Sequence, residues 1–292
     1  MVYNRRIFRF VALATVATIA AASQATMFAV LLGVGSSEQV EGCEFSTSHD
    51  LYEKPESNYR LYGPGQAHWG SCKLIWSPKS NIFDDDINAM MKGKGIRKNI
   101  TVTLHKSAKN VTQYDLKDAW ITSIGLPECD KSKSSPGNVE LTYTTMAPIS
   151  MRQAPPSGPI RTKAKSWMVN NFRFNIDGLE KPCGKVNKID AFTIKQGIAD
   201  VDGDGAPDYS ISDMVFYLPR NQAAPMGAWF FSGSEHRDGY LDYLDKNGEI
   251  MHRLAFKIAP IAIGDLDADG FVKVTCSHVG PVRWMAPESI SK

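Results

Sequence analysis

The chain has 292 residues, 43% hydrophobic and 22% charged, which is the balance of a folded protein with room for two ordinary domains. Its 33 basic and 31 acidic side chains give a formal charge of +2, and Arg5, Arg6 and Arg9 supply that excess. A protein that tracks phosphates carries a basic stripe, and none stands out in this sequence. Specific nucleic-acid binding is therefore not expected.

The N-terminal segment, residues 1–25, has the three parts of a signal peptide. A basic start precedes an apolar run over residues 10–22, and the small residues Ser23 and Ala25 are spaced like a cleavage site. A membrane anchor is the alternative reading of this segment, and contact with a membrane is expected only through it. Export would place the protein in the periplasm, on the cell surface or outside the cell.

The chain resembles itself when it is shifted along its own length. Residues 97–121 align without a gap with residues 237–261, and Leu104 and Leu244 are among the identical positions. We call this shift the repeat offset. Further on, the segment from Val139 matches the segment from Val272 once a seven-residue insertion in the first copy is allowed.

This repeat predicts two tandem domains, at residues 26–150 and 167–292. A proline-rich linker at residues 151–166 separates them, because its prolines remove backbone donors and favour extended chain.

Each copy shows a β-hairpin followed by a closing strand. The alternation of polar and apolar residues, rich in β-branched types, is typical of half-buried strands. The turn of the second hairpin contains Asn247-Gly248, which readily adopts positive φ angles. The predicted strands span residues 99–104, 111–120 and 139–143 in the first copy, and 240–244, 250–258 and 272–275 in the second.

One helix is predicted before each hairpin. In the first copy Ser80 or Asn81 is expected to cap the helix, acidic residues follow near the positive end of its dipole, and Gly93 ends it. In the second copy a stretch rich in Met and aromatic residues occupies the same place and ends at Gly233. We interpret these apolar residues as core packing.

Three segments of the first copy, residues 98–104, 114–120 and 138–143, resemble the C-terminal half of contractile-phage tail tube proteins. The opening strands at residues 28–33 and 172–178 are similar to the first strand of that family. Two departures stand at the family's Ala-Trp-Pro position: Ile121 replaces the proline in the first copy, and Ala259-Pro260 in the second lacks the tryptophan.

This resemblance implies a mainly β fold of two tandem tail-tube-like β-sandwich or barrel domains, each with one flanking α-helix. It also implies a structural, non-enzymatic protein whose chains join their β-strands into a ring or tube around a lumen, as in tail tubes, type VI secretion tubes and tail hub or adaptor proteins. The implied partners are further copies of the chain, as a trimer with pseudo-six-fold symmetry or a hexamer, and other tail or sheath-like proteins. The implied location is a virion tail or phage-tail-like particle.

An acidic segment has the spacing of calcium-binding loops. Asp200, Asp202, Asp204 and Asp208 alternate around glycines, and position twelve is Ile211 rather than the glutamate of an EF-hand. These four carboxylates are the candidate metal ligands, and calcium is the only cofactor expected. An acidic loop without metal is the alternative. A second acidic stretch at residues 265–270 is interpreted as a loop.

No catalytic constellation stands out. The six histidines form no His-Glu-x-x-His pattern, and the five cysteines form no Cys-x-x-Cys pair. An alternative to the hypothesis of a self-assembling protein follows from the signal peptide and the calcium-like loop. The chain would then be an exported monomeric β-sandwich binding module, an adhesin or glycan binder with a calcium-stabilised loop.

Overall fold

The computed structural model describes residues 27–32, 37–53, 62–78, 80–107, 110–154, 167–196, 209–233, 235–267 and 269–290. Within these ranges the protein is mainly β, as the sequence predicts. The strands are β1 (Met27–Leu32), β2 (Ser37–Val40), β3 (Gly42–Glu53), β4 (Tyr62–Trp76), β5 (Lys98–Ser107), β6 (Asn110–Leu126), β7 (Cys129–Asp130), β8 (Val139–Thr145), β9 (Ser150–Ala154), β10 (Phe172–Ile176), β11 (Lys188–Ile189), β12 (Phe192–Gln196), β13 (Tyr209–Ile211), β14 (Met214–Pro219), β15 (Arg237–Leu244), β16 (Ile250–Leu266), β17 (Phe271–His278) and β18 (Arg283–Met285). The helices are α1 (Asp84–Met91), α2 (Glu180–Cys183), α3 (Ala224–Phe231) and α4 (Pro287–Ile290).

The strands form two sheets that repeat one order. The first sheet runs β2-β1-β5-β6-β8-β4-β3, and the second runs β10-β15-β16-β17-β14-β11-β7. Read in parallel, β1, β5, β6, β8, β4 and β3 correspond to β10, β15, β16, β17, β14 and β11. In addition β9 pairs with β6 as β18 pairs with β16. The internal repeat seen in the sequence is therefore also a repeat of strand order.

Both predicted hairpins are present and longer than the sequence pattern suggests. β6 and β16 each span 17 residues, and their last residues, Leu126 and Leu266, match at the repeat offset. One detail of the ungapped alignment is wrong. Ile100 pairs with Leu116 whereas Gly239 pairs with Phe256, so β5 and β15 correspond one residue earlier than the repeat offset places them. The second hairpin takes up this difference with one additional residue in its turn.

Both predicted helices are present, as α1 and α3. Each is followed by a glycine with positive φ, Gly93 at 70° and Gly233 at 74°, as expected of a glycine that ends a helix. The predicted cap at Ser80 or Asn81 is wrong. The capping position of α1 is Phe83, no side chain caps it, and the Asn81 amide instead donates to Glu288 Oε1 at 3.3 Å. The short helices α2 and α4 were not predicted.

Each sheet also contains strands from the other half of the sequence. β12 adds to β6 in the first sheet, and β7 adds to β11 in the second. Residues 151–154, at the start of the predicted linker, lie in β9, while residues 155–166 and the predicted signal peptide lie outside the described residues. The proposed domain limits stay a prediction.

The buried side chains of both halves form one continuous hydrophobic cluster. Its largest fully buried members include Trp76 from the first half and Trp167 and Trp284 from the second. A shared cluster of this kind makes the contact between the halves part of the core.

Candidate assembly interface

The last residues of β6 have a strand on each side. On one side Ile124 pairs with Leu141 of β8, and on the other Ile124 pairs with Ile194 of β12. The pairing with β12 runs from Ser123 to Leu126 and is antiparallel. Backbone bonds between strands satisfy groups that would otherwise be left at an open sheet edge. We call this pairing, together with that of β7 and β11, the internal joint.

The seven-residue insertion of the first copy contributes the second strand pair of the internal joint. It contains β7, in which Cys129 pairs with Ile189 and Asp130 pairs with Lys188. The matching turn of the second half, between β16 and β17, is a short turn ending at Gly270 with φ of 81°. The insertion therefore equips the first half alone with this additional strand.

In addition to the internal joint, a buried polar cluster connects α1 to the second half. Trp284 Nε1 donates to Asp84 Oδ1 at 2.9 Å, and His252 Nε2 lies 3.2 Å from the same oxygen. The Trp284 and His252 rings stack with their centroids 4.8 Å apart. Buried polar groups are costly without partners, so this arrangement favours one seating of α1 against β16 and β18. We call Asp84, His252 and Trp284 the joint cluster.

Asn88, one turn after Asp84 on the same face of α1, extends this contact. Its side-chain amide donates to the Trp284 carbonyl at 2.7 Å, and its side-chain oxygen accepts from the Trp284 N–H at 3.1 Å. Such a reciprocal pair satisfies both backbone polar groups of Trp284 with a single side chain. The position of β18 relative to α1 is thereby fixed by hydrogen bonds as well as by packing.

The matching end of β16 in the second half is open. Leu126 at the end of β6 is 1% exposed, whereas Leu266 at the end of β16 is 43% exposed. Ile263 pairs with Val274 of β17 as Ile124 pairs with Leu141, yet Ile124 is fully buried and Ile263 is only half-buried. Among the described residues no strand plays the part of β12 for β16.

The complementary edge is open at the other end of the chain. β3 corresponds to β11 and β12 taken together. β3 pairs with β4, which precedes α1, while β11 pairs with β14 and β12 pairs with β13, the two strands that precede α3. Within the described parts of the chain, β3 pairs only with β4 and ends its sheet. One chain thus carries both edges of the internal joint a second time, and neither has its counterpart among the strands that the structure describes.

The predicted calcium ligands Asp200, Asp202, Asp204 and Asp208 lie outside the described residues, between the end of β12 and the start of β13. Calcium there stays a prediction. The second acidic stretch begins in the last residues of β16, and beyond them Asp267 Oδ1 accepts the N–H groups of Asp269 at 3.0 Å and Phe271 at 2.8 Å. In the described residues no group of three or more His, Cys, Asp or Glu side chains is placed to hold a metal ion.

All five cysteines are buried and none forms a disulfide. Burial raises the pKa of Cys183 to about 12 and raises the pKa of Cys129 and Cys276 as well, so these thiols stay protonated at neutral pH. A protonated buried thiol is a poor nucleophile and a poor metal ligand. These three cysteines act as small core residues.

Across the part of the chain that the structure describes, no helix is both long and apolar enough to cross a membrane.

No protein-family model matches the chain, and no curated protein matches it either. Two solved structures are similar at 20% identity, each over 44% of this chain and 88% of the other. One belongs to the sheath-tube complex of an extracellular contractile injection system in its extended state, with a TM-score of 0.37. The other belongs to the tube-terminating cap of the anti-feeding prophage, with a TM-score of 0.35.

The internal joint and the joint cluster are not predicted from the sequence. The sequence pattern assigns the acidic residues of α1, Asp84 among them, only to the helix dipole, and it gives His252 no role. A signal was nevertheless present: Asp84 and Asn88 align at the repeat offset with Ala224 and Ala228. A polar pair on one helix and an alanine pair on its counterpart indicate that the two helices face different surroundings.

Proposed function

We propose that this chain is a structural, non-enzymatic protein that assembles with copies of itself by β-strand pairing. In this proposal the end of β16 takes β3 of the next chain along its open edge, as the end of β6 takes β12 within one chain. The observation that carries the proposal is the internal joint itself, because it is a complete example of the contact on which the assembly depends.

The exposed side chains of the open strand support this proposal. Ile261 and Leu266 are 46% and 43% exposed on β16, and Ile263, which lies between them in the sequence, is half-buried. An unpaired strand with apolar side chains is prone to pair with another chain, and natural proteins blunt such edges unless they use them. Fully burying one such side chain contributes roughly 1.5–3 kcal/mol.

Repetition of the joint from chain to chain gives either a closed ring or an open helical array. Three chains would bring six copies of the strand order together in a ring with pseudo-six-fold symmetry around a lumen. A ring of six chains is the alternative. We propose a place in the tail of a virion or a phage-tail-like particle, as a tube, hub or adaptor component. Other tail or sheath-like proteins are its proposed partners.

The test is the mass of the full chain in solution, by sedimentation and native mass measurement, with negative-stain imaging. We expect particles of several chains for the wild type. The Leu266→Lys variant places a charge in the proposed joint and should sediment as a single chain with an unchanged circular dichroism spectrum.

Val279→Lys is the matched control. Val279 is 39% exposed and its counterpart Met146 is 36% exposed, so this position is open even in the half whose joint is formed. The control variant should assemble like the wild type. A wild-type chain that stays single at every concentration would contradict the proposal and favour an exported binding module.

A further inference from the structure

The exposed face of α3 is apolar. Ala224, Ala228 and Phe231 follow one another at helical spacing on this face, and Phe231 is 83% exposed. Single exposed hydrophobic residues are ordinary, but a bare phenylalanine at the end of an alanine-lined helix face favours a contact with another surface.

The equivalent face of α1 is covered, and it shows which kind of element contacts such a face. Asp84, Asn88 and Met91 occupy the equivalent positions at the repeat offset, and Met91 is 3% exposed. Asp84 and Asn88 bind Trp284 of β18. In the first half, therefore, this helix face is occupied by a short strand from the second half.

The counterpart of β18 is β9, and its central residue is exposed. Trp284 pairs with Leu254 of β16, and Met151 pairs with Tyr114 of β6, which matches Leu254 at the repeat offset. Trp284 is 2% exposed, whereas Met151 is 66% exposed. The exposed face of α3 and the exposed strand β9 are equivalent to α1 and β18, which contact each other within the chain.

We propose that the apolar face of α3 docks on β9 of the next chain, with Phe231 packed against Met151. This inference rests on the proposed assembly and adds a second contact to the pairing of β16 with β3. An aromatic ring against a methionine side chain is a favourable contact, since the thioether is polarisable and adapts to the ring.

The two joints then differ in chemistry, and this difference sets the order of the halves. If β9 of another chain met α1, Asp84 would face Met151 in place of the Trp284 indole, and the position of His252 would hold Thr112. A buried carboxylate without its donors is strongly disfavoured. First and second halves must therefore alternate around the assembly, because α1 accepts only β18 and α3 is left for β9.

The test mixes two variants of the full chain, Phe231→Cys and Met151→Cys, and treats the mixture with a short bismaleimide. Each variant adds one exposed cysteine to the five buried native ones. We expect covalent dimers in the mixture and, at most, the wild-type background when either variant is treated alone. Val279→Cys mixed with Phe231→Cys is the matched control and should give only background.

Sedimentation of the same samples before cross-linking separates the two proposals. Particles of several chains with no dimer specific to the mixture would overturn the docking of α3 on β9 while the strand pairing stands. Single chains throughout would overturn both. As a second readout, Phe231→Asp should raise the concentration at which half of the chains assemble by tenfold or more, and an unchanged midpoint would contradict the inference.

Discussion

α1 and α3 occupy equivalent places in the two halves of the chain, yet one is closed and the other open. α1 carries Asp84 and Asn88 on the face that meets the second half, and both bind Trp284 there. α3 carries alanines and Phe231 at the same positions and exposes them. The duplicated fold thus provides one contact surface twice, and the side chains decide which copy is used within the chain and which is left for another.

The largest expected difference between the two halves is in the effect of truncating the counterpart residues Trp284 and Met151. Trp284→Ala removes a buried indole and the donor to Asp84, so the free energy of unfolding should fall by roughly 3–5 kcal/mol. Met151→Ala should change it by less than about 0.5 kcal/mol, because its side chain is exposed in the single chain.

Urea unfolding at a protein concentration below the onset of assembly measures both effects. Equal losses in the two variants would mean that the β9 and β18 positions are not as different within the chain as their exposure indicates.

A second comparison concerns pH. His278 near the end of β17 holds the position of Thr145 at the end of β8 in the first half, and burial lowers the pKa of His278 to about 4. An unfolded chain binds a proton at this histidine below pH about 6.5. Between about pH 6.5 and pH 4 only the unfolded state gains this proton. The free energy of unfolding should therefore fall by up to about 3 kcal/mol as the pH is lowered.

Urea unfolding at pH 7 and pH 4.5 measures this loss. Carboxylates also titrate at the lower pH, so the comparison is with His278→Thr, which restores the residue of the first half. A variant that loses as much stability on acidification as the wild type would show that His278 is not the titrating group.

The smallest expected effect concerns two equivalent connections, the one between β3 and β4 and the one between β12 and β13. Asp200, Asp202, Asp204 and Asp208 lie in the connection between β12 and β13, whereas residues 54–61 between β3 and β4 contain a single acidic residue, Glu56. If the four carboxylates bind calcium, the ion should raise the free energy of unfolding by up to ~2.7 kcal/mol at a hundredfold excess over its dissociation constant. Thermal unfolding with and without calcium measures the change.

Asp202→Asn should abolish the calcium effect, and Glu56→Gln should leave it intact. A wild-type transition that is unmoved by calcium would leave these aspartates as an acidic loop.

Local patterns predicted the central hairpin, the closing strand and the helix of each half. Strand alternation located the hairpins, and glycines with positive φ ended both helices, because such signals depend on neighbours in the sequence. The joint could not be predicted in the same way. β7 and β11 have two residues each, too few for a periodic pattern, and Asp84 meets His252 across 168 positions in the chain. Contacts of that range are fixed by packing, which single-sequence patterns do not encode.

The internal joint has a kinetic consequence. Because β6 and β12 belong to one polypeptide, their encounter is intramolecular, at an effective concentration set by the connecting chain rather than by the amount of protein. A closed assembly of three chains would therefore need only two bimolecular encounters to bring six repeats together. Its rate of formation would depend far less steeply on dilution than that of six separate subunits, and scarcity of protein would be a weaker obstacle to closure.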